Sequence, residues 1–119
     1  WGDVVQMTPV HPQKIWDAQK EMGIDSPALP KEYYKIPINA LDKEKTAIFL
    51  KDAPSEKYIQ YKWLEDTDIS SIQEVPPSTL VYYKMSALHG DTPFNFQFIP
   101  HVFYAGEIDV SGVEIIRIG

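Results

Sequence analysis

Alternation of apolar and polar residues constrains this chain more than any other feature. Phe94, Phe96 and Phe98 alternate with Asn95 and Gln97; Ile59, Tyr61 and Trp63 alternate with Gln60 and Lys62. Successive side chains of a strand point to opposite faces, so this pattern builds half-buried sheet. Read this way, the chain has strands at 33–38, 46–51, 57–64, 79–88, 94–98, 102–108 and 113–118, with Val4-Val5 as a further N-terminal candidate. The 79–88 stretch is the longest and is rich in Val, Tyr and Leu. Pro37 cannot donate to a ladder, so the 33–38 strand lies at an edge or carries a bulge. The Phe94/Phe96/Phe98 and Ile59/Tyr61/Trp63 stripes are expected to supply much of the core.

Turn chemistry separates these runs. Asp42-Lys43-Glu44, Asp52-Ala53-Pro54-Ser55 and His89-Gly90-Asp91-Thr92-Pro93 read as turns, and 109–112 as the tip of a hairpin joining the last two strands. A single helix is expected at 12–22, with Pro12 in its first turn and Gly23 just past its end. Ile15, Ala18 and Met22 form its apolar stripe; Asp17 and Glu21 stand at pairing distance from Lys20 and Lys14. His11 belongs to the helix entrance. Residues 24–32 form a Pro-containing connector. Residues 65–78 form a long polar one ending in Pro76-Pro77.

Connections this short favour antiparallel neighbours, and no strand–helix–strand alternation supports a parallel sheet. The expected fold is mainly β: one domain over 1–119, an antiparallel β-sandwich or open barrel of about seven strands with one N-terminal helix. A chain of 119 residues buries roughly 65% of its unfolded surface, enough for a core without staples.

Composition removes several function classes. The formal net charge is −6, and Arg117 is the only arginine among eleven basic residues. The lysine-rich stretch 31–62 is interleaved with acids, so it lacks the clustered basic surface that nucleic acid or anionic membrane requires. Apolar runs reach four residues, as at Ala47-Ile48-Phe49-Leu50, against roughly 20 for a membrane span. The chain has no cysteine, which excludes disulfides, thiolate catalysis and zinc fingers. Its six glycines are scattered, its serines lack a nucleophile-elbow context, and no cofactor signature is present. A start at Trp1 rather than Met fits a trimmed chain or removal of a signal peptide, which points towards export, periplasmic or extracellular.

Three constellations carry functional expectations. The chain has seven Tyr and three Trp, and in the adjacent pairs Tyr33-Tyr34 and Tyr82-Tyr83 one ring of each is expected to face out or into a cleft; Trp63 and Tyr82 are the residues expected to anchor a protein interface or stack on a sugar ring. Cross-strand packing with the hydroxyl in water is the simpler reading of the same tyrosines. Glu65, Asp66 and Asp68 form an acidic knot suited to a basic partner, although the glycine and distal glutamate of a calcium loop are missing. His89, Asp91 and His101 could form a metal or acid–base site if the fold gathers them; otherwise His-Gly-Asp is turn chemistry. The sequence therefore points first to a non-enzymatic domain that binds a protein partner, in an accessory, inhibitor or immunity-type role. A carbohydrate-binding module is the second reading. A small enzyme using His89, Asp91 and His101 is the third.

Overall fold

The computed structural model describes residues 4–51 and 59–119. The predicted 52–55 turn, the start of the predicted 57–64 strand and the side chain of Ile59 lie outside the described residues. Among the described residues there are six strands in two antiparallel sheets and two helices, an α+β arrangement dominated by sheet. Among the described residues no helix is long and apolar enough to cross a membrane.

The larger sheet contains β1 (Val4–Met7), β3 (Thr46–Lys51), β4 (Ile59–Trp63) and β5 (His101–Ala105), in the order β1-β5-β3-β4. On β3, Thr46 and Ile48 turn to one face and Ala47 and Phe49 to the other. Register sets Ile48 opposite Val102 and Thr46 opposite Tyr104. These four are buried, and Ile48 and Val102 pack against Leu64 with Met7, Leu41, Ile69 and Ile72 around them. Thr46 turns its hydroxyl to the Asp42 carbonyl at 2.8 Å, so a polar residue sits in this layer without an unmet hydrogen bond.

The smaller sheet pairs β2 (Glu32–Lys35) with β6 (Glu114–Arg117). Arg117 stands opposite Glu32 and Glu114 opposite Lys35. Both pairs close as exposed ion pairs, at 3.0 and 3.6 Å. Directly opposed unlike charges add roughly 0.2–1 kcal/mol and help set register. β2 is shorter than the predicted 33–38 strand because Pro37 ends the ladder, and a 3-10 turn (Ile38–Ala40) follows.

β5 and β6 do not form the predicted hairpin: β5 joins the four-stranded sheet and β6 the ribbon, so 106–113 crosses between sheets. Local chemistry there still makes a turn. Asp109 accepts from both the backbone N–H and the hydroxyl of Ser111, which holds its carboxyl below the usual range, and Gly112 takes a φ of 77°.

The predicted helix is α1 (Pro12–Glu21). His11 Nδ1 accepts from Gln13 N–H at 3.1 Å as its N-cap, and Gly23 follows its end at φ 106°. It buries Pro12, Ile15, Ala18 and Gln19. Its lysines reach beyond the helix: Lys14 pairs with Glu74 at 2.6 Å and Lys20 donates to the Asp25 carbonyl at 2.9 Å, not to Asp17 and Glu21.

Two predicted strands are something else. Residues 79–88 lie in a second helix, α2 (Pro77–Leu88). Pro77 occupies its first turn, where a missing N–H costs nothing and a fixed φ suits the helix. Thr79, Tyr83 and Ser86, at helical spacing, are the buried face, while Val81, Met85 and Leu88, at the same spacing, are exposed. Apolar residues therefore circle this helix, the 3.6-residue period is flattened, and β-propensity dominates a reading from sequence. Residues 94–98 form turns, not a strand. Ile99 N–H bonds to Phe96 O, and Phe98 takes the left-handed φ of 63°. The two helices and this segment share the main core, built from Val10, Ile15, Ala18, Leu29, Tyr83, Ile99 and Ile118.

An exposed aromatic surface as candidate functional site

The face of the large sheet opposite Ile48 and Val102 is aromatic. Register places Phe49 of β3 opposite Tyr61 of β4 and His101 of β5, and Ala47 between Trp63 and Phe103. The rings meet in series. Trp63 and Tyr61 have centroids 6.4 Å apart, Tyr61 and Phe49 5.9 Å, and Phe49 and Phe103 4.9 Å; Phe103 then stacks on His101 at 6.1 Å. Tyr61 remains 62% exposed and Trp63 45%. His101 is fixed from both sides: Gln6 Nε2 donates to its Nδ1 at 2.6 Å, and its Nε2 faces the Phe96 carbonyl at 3.4 Å.

This surface continues into an open groove of about 630 Å³ lined by Phe49, Phe94, Phe96, Phe98, His101 and Phe103. One wall is the 92–99 segment, which α2 side chains hold by its backbone and α1 holds through the Asn95 side chain. Tyr82 Oη accepts from Phe94 N–H at 2.8 Å, Tyr83 donates to the Asn95 carbonyl, and Thr79 donates to the Gln97 carbonyl at 2.7 Å. From α1, buried Gln19 donates to the Asn95 side-chain oxygen at 2.8 Å. Burial pushes the Tyr83 hydroxyl up to about 12, with the nearby Gln19 amide opposing the rise and neighbouring Tyr82 adding to it. The segment is thus held irregular by polar contacts, and Phe94 is presented 76% exposed.

The residues singled out from sequence fall in three places. Trp63 lies on the aromatic face at the end of edge strand β4, and Glu65 and Asp66 follow in the 3-10 turn Leu64–Asp66. Neither carboxylate has a hydrogen-bond or ion-pair partner among the described residues. Asp68 is exposed too, but its carboxylate caps Ser70, accepting from the N–H at 3.1 Å and the hydroxyl at 2.6 Å. Tyr82 is half-buried on α2, against Phe98, where its hydroxyl supports the Phe94 wall. His89 caps the end of α2 and Asp91 donates its N–H to the Ser86 carbonyl, while His101 has Gln6, Phe96 and Phe103 as its partners. Among the described residues no three His, Asp or Glu side chains gather as a metal-holding group.

The expectation that Tyr61, Trp63 and Phe94 belong to the core is corrected: all three are exposed. Phe49 and Phe103 were not singled out as site residues. A signal existed in the Ala47-Ile48-Phe49-Leu50 run, because a strand apolar on both faces cannot bury both against one core. No family model matches this chain, and neither a curated protein nor a solved structure is similar to it.

Proposed function

We propose that the protein is a non-enzymatic recognition domain that binds a basic protein partner through the surface running from Trp63 to Phe94. The observation that carries this reading is the continuity of the rings: one contiguous aromatic face, built by three strands and a pinned loop, with carboxylates that have no partner among the described residues following its Trp63 end. Contiguous exposed apolar surface marks interaction sites, and Trp and Tyr are the residues that concentrate binding energy there. Glu65 and Asp66 supply the charged rim that selects a partner of opposite sign.

Ring orientation favours protein over carbohydrate. Sugar stacking uses ring faces laid flat along the ligand, whereas Tyr61 and Trp63 stand at 89° to one another and Phe49 and Phe103 at 80°. We also propose that the two sheets act as layers of an open sandwich, since residues of β1, β2 and β6 line a common groove of about 1380 Å³.

The test is affinity capture from an extract of the source cells with the wild-type chain and with Trp63→Ala and Phe94→Ser. Each variant is expected to lose about 10- to 30-fold in capture of the same partner, the scale of a hot-spot residue, with an unchanged thermal midpoint. A partner retained equally by all three chains overturns the reading. Selective glycan-array binding lost in Trp63→Ala replaces it with the carbohydrate one.

A further inference from the structure

The Tyr61 and Trp63 rings form a corner. They project from the same face of β4, two residues apart, with planes at 89° and both rings open to solvent. The next turn of chain bears Glu65 and Asp66. Thr67 ties that turn to the strand end, its hydroxyl donating to the Trp63 carbonyl at 3.0 Å and its N–H to the Leu64 carbonyl at 3.1 Å. The carboxylates are therefore held close to the corner in the chain.

No described cation neutralises them. Lys62 lies between the two rings in sequence but projects to the opposite face, in register with buried Ile48. Lys43 and Lys45 lie in a turn that packs beside Leu64–Asp66, yet neither reaches Glu65 or Asp66 within ion-pair distance. The chain already uses the matching contact elsewhere: Lys31 Nζ sits 3.7 Å from the centroid of the Trp16 ring.

An open, electron-rich ring face, followed in the chain by two carboxylates that have no partner among the described residues, is complementary to a cation that is itself planar and forks its donors. A guanidinium meets both demands, while an ammonium meets only the charge. We infer that this corner receives an arginine side chain of the partner, its guanidinium laid on the face of one ring with its edge towards the other, and donating to Glu65 and Asp66. The inference rests on the protein-binding reading of the same surface and names the chemistry at one end of it.

The test uses three probe peptides, acetyl-Gly-X-Gly-amide with X as arginine, lysine or norleucine, and tetramethylammonium chloride. Each is titrated into the isotope-labelled chain while the Trp63 indole N–H resonance is followed. The arginine peptide is expected to give a saturable shift in the millimolar range, the lysine peptide a weaker one and norleucine none. Glu65→Gln with Asp66→Asn is expected to weaken the arginine titration about 3- to 10-fold at low salt and to remove its salt dependence. Equal shifts with norleucine, no saturable shift at Trp63, or tighter binding of tetramethylammonium overturns the inference. If partner capture still depends on Phe94 in that case, the arginine site falls and the broader reading stands.

Discussion

Tyr83 shows how one residue can hold an irregular loop and set a pH limit. Its hydroxyl is buried, bonds the Asn95 carbonyl and is pushed up to about 12, chiefly by loss of hydration. The native pKa is thus above the unfolded value of 10.0, and the fold favours the neutral phenol. Its contribution to stability is complete below pH 10 and is lost as pH rises through about 12. Tyr33, also raised by burial, acts in the same direction. Thermal melts between pH 8 and 12 are expected to show falling stability above pH 10. Tyr83→Phe is expected to cost about 1 kcal/mol at neutral pH, from the lost hydrogen bond, and to make the alkaline fall shallower. An unchanged alkaline fall in the variant would assign the effect to other groups.

At the scale of the element, α2 is the unusual part. A helix ordinarily turns its apolar stripe inward, yet here Thr79, Tyr83 and Ser86 face the core while Val81, Met85 and Leu88 face out. The inward face is polar because it does more than pack: Thr79 and Tyr83 satisfy carbonyls of the 94–98 turns, which no ladder can serve between Pro93 and Pro100. This division predicts opposite sensitivities on one helix. Thr79→Val, nearly isosteric, is expected to destabilise by about 1–3 kcal/mol by orphaning the Gln97 carbonyl. Leu88→Lys, on the open face, is expected to stay within about 0.5 kcal/mol. Urea titrations of both variants measure this directly, and a Leu88→Lys cost as large as that of Thr79→Val would contradict the face assignment.

For the whole molecule, the net charge of −6 matters through its placement. Glu65 and Asp66 have no ion-pair partner among the described residues and follow one end of the aromatic surface, whereas Glu32, Glu74 and Glu114 are engaged with Arg117, Lys14 and Lys35. Glu21, Asp25, Glu44 and Glu107 are likewise exposed and outside the described ion pairs, so what sets Glu65 and Asp66 apart is that they follow directly on the aromatic strand, the place where the proposed partner feels them at shortest range. Glu65→Lys with Asp66→Lys is expected to slow association about 10-fold or more at low salt, with little change in dissociation and convergence with wild type at high salt. Surface-plasmon measurements across ionic strength test this. Asp68 is better left intact, because its reversal also removes the Ser70 cap.

Local chemistry made part of this legible in advance. Pro12 and Gly23 bound α1, and the alternation around Ile48 and Tyr61 marks β3 and β4, because caps and period-two runs act within a few residues. Trp63, Glu65 and Asp66 could be named as candidates for recognition from their types and proximity alone. The helical state of 79–88, the turns at 94–98 and the exposure of Tyr61, Trp63 and Phe94 were decided by tertiary structure. Alternation says which residues share a face, but whether that face is covered depends on what the rest of the chain stacks against it. Here both helices and the ribbon build the separate core of Val10, Ile15 and Tyr83, and the second face of the large sheet is left to its rings.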